Sequence, residues 1–487
     1  MKVELKKCRL ADVKDHLLCV FLMQDEEPSW DIKQFLKDVK KERFTGKLLQ
    51  TFYADSNGKA GYKHLLIVGL GKKEEFKLDF LRRAAGLSVR YAASLKHKEL
   101  AIYLPGRFIS RPELTRRAQA ITEGAMLASY KFYKYKTEKE DLFEVEKIRI
   151  VSEDDVAEGI RLGMIYAGAQ NYARELDELP ANVATPARIA AEARKLGREH
   201  GLSVTVLDKR RMERMGMNAL LAVAQGSEQE ALLVKLEYNK GRNYPIYAIV
   251  GKGVTFDSGG ISLKPALNMH EMKYDKTGAV NVLGVFKAVT ELKLPIRLIG
   301  VMPLVENLPS GSAQKPGDIV TAYNGKTIEV LNTDAEGRLI LADALSYAAE
   351  EKPEYIIDMA TLTGAVAICL GKHAIGLLSN DDALAKTLIE AGNESHERVW
   401  RLPLWPEYSE MIKSDFADIK NISETGEAGT ITAAAFLKEF VGEIKWAHLD
   451  IAAVDLVKPP HPYLDKGASG IGVRLVLETL SRLPKKK

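Results

Sequence analysis

A chain of 487 residues is several times the usual domain length, so at least two domains are expected. Its 46% hydrophobic and 28% charged residues are the balance of a folded globular protein and exclude a disordered or collagen-like chain. A formal net charge of +4 is too small to imply nucleic-acid binding by itself.

Residues 1–153 read as an α/β domain. Leu17–Leu22, Leu65–Val68, Leu100–Leu104 and Ile148–Val151 are short apolar strand candidates, with helical patterns at Phe80–Ser94 and Leu114–Phe132 between them. Gly69-Leu70-Gly71 follows a strand, but Glu74 stands where a dinucleotide fingerprint needs its third glycine, so a plain turn is expected. The run Lys131–Lys139 interleaves aromatics and lysines; a solvated helix end is preferred to a single-strand-binding site. A long helix is expected from Asp154 to Leu179, where Pro180 stops it, and residues 154–185 form the connector. Thr185-Pro186 then supplies a cap and a first helical turn.

Residues 186–487 alternate strand and helix. Strands are expected at Ser203–Leu207, Ala231–Tyr238, Ile246–Val250, Ile296–Met302, Ile328–Leu331, Tyr355–Met359 and Trp446–Ile451. Helices are expected at Pro186–His200, Val280–Leu292, Ile340–Glu351, Ala383–Ala391, Ile431–Val441 and Ile471–Leu483. This order argues for a mostly parallel sheet covered on both faces. Lys485–Lys487 read as a solvated, disordered end.

Cys8, Cys19 and Cys369 fit neither a zinc spacing nor a disulfide framework, which points to a reducing, cytoplasmic setting. No signal peptide is recognisable, and no segment reaches the roughly 18 apolar residues of a membrane helix.

The chemistry concentrates at Asn332–Leu339, where Asp334 and Glu336 stand two apart and Arg338 two further on. These carboxylates repel each other unless a cation lies between them, although a helix N-terminus also suits acidic residues. Upstream, the strand ending at Val250 runs into Gly251–Lys264, whose glycines surround Lys252, Asp257 and Lys264. Asp275 follows in Met272–Asp275, ahead of a helix that it could simply cap. Four carboxylates at strand ends and helix starts favour hard or borderline divalent ions bound through oxygen. Neither His270-Glu271 nor His396-Glu397 completes His-Glu-x-x-His, and the nine histidines show no other paired spacing, so a histidine-rich zinc site is not expected.

Asn332–Leu339 resembles the signature of the leucyl aminopeptidase family, the two-metal cytosolic aminopeptidases. Gly251–Lys264, Met272–Asp275, Thr361–Ala365 and Trp446–Ala452 resemble further blocks of that family in the same order. The resemblance runs from about Asn171 to the end and implies a macro-like N-terminal domain joined to an α/β catalytic domain. It implies that Lys252, Asp257, Asp275, Asp334 and Glu336 bind two divalent ions, manganese or zinc foremost. Asp257 and Glu336 would bridge the ions. Lys264 and Arg338 would be catalytic, and Gly337, Arg338 and Leu362 would hold a bicarbonate. Met272, Thr361, Gly364 and Ala452 would line a pocket for a leucine-like side chain. The family also implies a homohexamer. Lys276-Thr277 depart from the family's smaller or apolar residues beside Asp275, which leaves open whether the extra charge weakens that metal site or points away. Two other readings stand beside the peptidase: a metal-dependent phosphoesterase, and a DNA-binding regulatory role for the N-terminal domain.

Overall fold

The computed structural model describes residues 1–26, 44–58, 60–106, 109–138, 143–458 and 461–484. Lys485–Lys487, and Lys139 of the lysine–aromatic run, lie outside the described residues. The chain forms two compact units. One comprises Met1–Asn171 and Val457–Lys466, the other Tyr172–Leu456 and Gly467–Lys487.

The first unit is built on six strands: β1 (Lys2–Lys7), β2 (Leu17–Leu22), β3 (Thr51–Asp55), β4 (His64–Gly69), β5 (Glu99–Tyr103) and β6 (Lys147–Ser152). They lie in the order β1-β6-β5-β2-β4-β3, all parallel except the edge strand β3. Leu17, Cys19, Leu66 and Val68 enter one core, and Leu18, Val20, Leu65 and Ile67 the other. Burial on both faces explains why these strands read as continuous apolar runs rather than alternating ones. Helices Leu78–Ser94 and Arg111–Ser129 approach closely at Gly124, where a Cβ would stand 2.1 Å from Arg82 O. The second helix ends three residues before the expected Phe132, because Tyr130 is already extended (φ −68°, ψ 131°) and Lys131 pairs with Asp465. The segment 457–466 plugs this unit. Tyr463 donates to Asp79 Oδ1 at 2.8 Å, and Arg90 Nη2 donates to Leu464 O at 2.9 Å and Asp465 Oδ1 at 2.7 Å.

The second unit holds the larger sheet. Its strands are β7 (Ser203–Leu207), β8 (Leu232–Tyr238), β9 (Ile246–Gly251), β10 (Gly253–Asp257) and β11 (Arg297–Asn307). After two strands of a side sheet, β12 (Asp318–Thr321) and β13 (Thr327–Val330), come β14 (Tyr355–Ala360), β15 (Ile375–Ser379) and β16 (Val399–Arg401). The short β17 (Ile419–Lys420) and β18 (Lys445–Asp450) follow. The main order is β16-β15-β18-β14-β9-β11-β8-β7, and β10 continues alongside β11 beyond β9. The central strands β18, β14, β9 and β11 are parallel, so their C-terminal ends share one edge. Ile299 and Val301 of β11 face a core shared with helix Glu336–Ala349, whereas a Cβ on Gly300 would meet Phe286 of helix Thr277–Leu292 at 2.5 Å. The two helices therefore cover opposite faces.

One expectation changes. The strand feeding Asn332–Leu339 is not in the main sheet. β13 sits in a three-stranded side sheet between β12 and β17, which brings the octet against the main sheet's edge from outside. Most strands missed from the sequence lack a clear apolar run: β1 and β3 carry charged or half-exposed residues, and β10, β12, β16 and β17 are short or glycine-bearing, whereas β15 is apolar and fully buried and was missed all the same.

Candidate metal centre

The shared edge gathers the charged residues. Lys252 interrupts β9 and β10: its N–H donates to Met359 O at 3.0 Å while its carbonyl accepts from Ala279 N at 2.8 Å. Asp257 ends β10 and Asn307 ends β11. The Asn307 amide donates to Asp257 Oδ1 at 2.9 Å and to Thr333 O at 3.0 Å, tying the aspartate to the octet. Thr333 extends this clasp, accepting from Ser262 N at 2.8 Å and donating to Gly259 O at 2.7 Å. Gly259 is left-handed (φ +88°), and a Cβ there would stand 2.8 Å from Asp334 Oδ1, so only glycine lets the loop pass. Glu336 opens its helix, and Asp275 ends the short 3-10 helix Met269–Tyr274 as its C-cap, one residue before Lys276, the N-cap of the helix from Thr277.

Carboxylate oxygens of Asp257, Asp334 and Glu336 come within 4.8 Å of one another. Two ammonium groups lie among them. Lys252 Nζ is 2.7 Å from Asp275 Oδ1, 2.8 Å from Glu336 Oε1, and donates to Thr361 O at 2.8 Å. Lys264 Nζ is 2.8 Å from Asp257 Oδ2 and 2.5 Å from Asp334 Oδ1. Burial pushes the Asp275, Asp334 and Glu336 carboxyls above the usual range; Glu336 and Asp257 add to this at Asp275, as Asp257 does at Glu336 and Asp334. Burial alone would lower both lysines, but the carboxylates outweigh it and hold both above the ordinary lysine value.

These residues fit divalent ions. Asp257, Asp275, Asp334 and Glu336 outnumber the two ammonium groups, and Glu271 and Asp455 add two more carboxyls to the pocket wall. Asp275 Oδ2 is buried without a hydrogen-bond partner, while Asp334 Oδ1 and Glu336 Oε1 are buried and face an ammonium group. Buried carboxylate oxygens gathered in this way are the donor set that hard and borderline cations take.

The pocket encloses about 240 Å³ and is lined by all five residues expected to bind metal, by Lys264, and by Met272, Thr361, Leu362, Gly364 and Ala452. Gly337 and Arg338 lie behind it. Arg338 Nη1 donates to Asn421 O at 2.6 Å, its Nε is buried without a protein partner, and burial pushes its guanidinium down to about 10 against Glu336 and Asp450. The Leu362 N–H is engaged by Asp450 Oδ1 at 3.2 Å. Asp450, Thr363, Asn307 and Asn421 hold the site together yet were not singled out from the sequence. Thr363 and Asp450 left a trace, inside the Thr361–Ala365 and Trp446–Ala452 blocks.

Lys276 points away from the carboxylates. Fully buried, it donates to Asp177 O at 2.7 Å, to Lys273 O at 2.5 Å and to Leu179 O at 3.4 Å, while Thr277 Oγ1 donates to Asp177 Oδ2 at 2.8 Å. It closes the carbonyl end of the preceding helix, where a cation is favoured.

Residues 171–477 match the catalytic domain of the cytosol aminopeptidase family, and residues 32–139 match that family's N-terminal domain. The chain belongs to the cytosol aminopeptidase family. It is 46% identical to a probable cytosol aminopeptidase of Roseiflexus castenholzii over 90% of this chain and 91% of that protein. It is 40% identical to that of Alkaliphilus oremlandii over the full length of both. Among solved structures, the bottromycin maturation enzyme BotP in complex with Mn has a TM-score of 0.86 at 33% identity, covering 96% of this chain and 98% of that one. The chain is thus a metal-binding peptidase of the aminopeptidase type, which sets aside the phosphoesterase reading. Among the described residues, no helix of this aminopeptidase is long and apolar enough to cross a membrane.

Proposed function

We propose that this aminopeptidase works with two divalent ions and releases N-terminal residues from peptides, leucine-like ones preferentially. The convergence of Asp257, Asp334 and Glu336 around the Lys252 and Lys264 ammonium groups carries the reading. Asp257, Asp275, Asp334 and Glu336 would hold the ions, together with Lys252 as its neutral amine; the lysine contacts that gather these carboxylates support the assignment. When bound, such a pair supplies Lewis acidity and a nucleophile from water at neutral pH.

The protein's own groups do the rest. The Lys264 ammonium, partly exposed at the pocket wall, donates to the charge that develops on the scissile carbonyl oxygen. Arg338 stays charged and cannot act as a base at neutral pH. Its buried Nε, without a protein partner, supports its holding a small anion such as bicarbonate, with the N–H of Gly337 in the first helical turn; such an anion would supply a proton carrier there. Leu362 contributes through position, since its N–H already serves Asp450. Met272, Thr361, Gly364 and Ala452 form a small or apolar wall for the first side chain. Burial pushes the Asp455 carboxyl on the same wall to about 8, so at neutral pH it carries a proton rather than a charge, which suits an apolar residue. BotP was solved with manganese, which supports manganese here, and the donor set also suits zinc. A homohexamer fits the exposure of Ile368, Phe416 and Trp405 on the catalytic unit, and sedimentation would count the copies. We do not extend the reading to nucleic acid: Lys131 is committed to Asp465 and Lys136 lies over the Tyr133 ring.

The test is hydrolysis of a leucine anilide after chelation and stepwise return of manganese or zinc, beside an N-acetylated anilide and a phosphate ester. Activity confined to the free-amine anilide, rising with two ions per chain, is expected. Full turnover without added ions, or equal turnover of the blocked substrate, would overturn the proposal.

A further inference from the structure

A second cluster of metal-type ligands lies within the first unit and takes no part in the site above. His16 immediately precedes β2, His64 opens β4, and His97 stands two residues before β5. These strands are neighbours in the order β5-β2-β4 and run parallel, so their N-terminal ends place three imidazoles side by side. The His64 N–H donates to His16 O at 2.9 Å, which fixes the register of the two. The cluster is not legible in the sequence, because residues 16, 64 and 97 have no mutual spacing to notice until parallel pairing aligns them.

One ring nitrogen from each histidine comes within 4.8 Å of the others. His16 Nδ1 and His97 Nδ1 are 3.1 Å apart, and the ring centroids are separated by 5.0, 5.0 and 5.2 Å with mutual tilts of 52° to 57°. Three rings tilted about a common centre differ from a stack, and tetrahedral zinc–imidazole bonding puts nitrogens about 3.3 Å apart. His64 Nδ1 is buried with no hydrogen-bond partner, and Asp55 Oδ2 lies 3.7 Å from it. Tyr53 stacks on the His64 ring at 5.5 Å and walls one side, while His16 is exposed and leaves another open. Burial and the neighbouring imidazoles lower the pKa of His16 and His97, which favours the neutral, ligating form of those two rings.

We propose that His16, His64 and His97 form a second metal site, which takes one borderline divalent ion of the zinc class through three imidazole nitrogens and leaves a fourth position to solvent. Imidazole favours zinc over manganese, whereas the carboxylate pocket accepts either, so the two sites separate by ligand chemistry. The proposal does not depend on the catalytic reading.

The test uses the full-length chain, stripped with a chelator and dialysed against zinc in excess manganese. Wild type is expected to retain one more zinc per chain than a His16→Ala/His97→Ala variant, with leucine-anilide turnover the same in both. Equal zinc counts in the two proteins would overturn the site. Should the double variant fold poorly, zinc protection of wild-type His16 from diethyl pyrocarbonate gives an independent reading. Protection at micromolar zinc supports the site, and undiminished modification rejects it.

Discussion

A Cβ on Gly337 would stand 2.7 Å from Cε and 2.8 Å from Nζ of Lys252. The first turn of the Glu336 helix is thus stacked on the lysine's stem, and the missing side chain lets the ammonium reach Asp275 and Glu336 together. Gly337→Ala is expected to leave the fold intact, push the ammonium aside, and weaken ion uptake about 10- to 100-fold, as displaced supporting groups do at metal sites. Isothermal titration with manganese checks this; unchanged affinity would mean the lysine geometry is incidental.

Lys252 itself poses a sharper question. A lysine can ligate only as the neutral amine, yet its carboxylate neighbours hold it charged, so an ion that takes it as a ligand must expel its proton. Lys252→Arg cannot supply a neutral nitrogen at accessible pH. The variant is expected to lose one ion per chain while the other stays on Asp334, Asp257 and Glu336. Metal analysis of the purified variant decides it, and two tightly held ions would reduce Lys252 to a structural cation.

Lys264→Ala is expected to cut kcat about 10²- to 10³-fold with little change in KM, because the oxyanion it would serve exists only along the reaction path. Steady-state kinetics on leucine anilide provide the readout. A rise in KM at constant kcat would assign Lys264 to substrate binding instead.

Lys276 should govern stability rather than chemistry. Lys276→Met leaves the buried Asp177 carboxyl, which burial pushes to about 6 against the pull of Lys276, without its cation. Breaking such a pair costs about 3–5 kcal/mol. A lower urea midpoint with normal turnover per folded molecule is expected. Lost ion binding at full stability would return Lys276 to the metal site.

Asp343 gives a pH signature. Its two oxygens accept from Leu220 N at 2.8 Å and Tyr323 N at 2.7 Å, but burial dominates and pushes the carboxyl from 3.8 to about 7. The folded state therefore holds this proton more tightly than the unfolded state. The resulting stabilisation is fully present below about pH 4 and is lost as pH rises through about 7. Between pH 5 and 8 the wild type should lose about 2–3 kcal/mol relative to Asp343→Asn, which has no such proton. Parallel pH profiles for the two proteins would contradict the assignment.

The sequence was most readable where a single physical signal dominated. Strands buried on both faces announced themselves as apolar runs, and Pro186–His200 was readable to the residue because Thr185 caps it, Pro186 starts it and left-handed Gly201 ends it. The charged residues of the site stood out because each sits at a strand end or helix start. What supports them did not. Asn307, Thr333 and Asn421 act by hydrogen bonds across 26 to 90 residues, and no local pattern foretells such a partner. The direction of Lys276 was equally hidden, since it depends on where an earlier helix ends.

The return of segment 457–466 to the first unit bears on the order of synthesis. The amino-terminal sheet emerges from the ribosome with its helices, but Tyr463, whose Cβ lies against Gly86, is made only after nearly all of the other unit. At usual elongation rates the nascent sheet waits roughly 15 to 60 s with that face bare and Asp79 lacking its tyrosine donor. A fragment cut at the end of the first sheet would keep this unfinished state permanently, and chaperones would meet it in every chain on its way to completion.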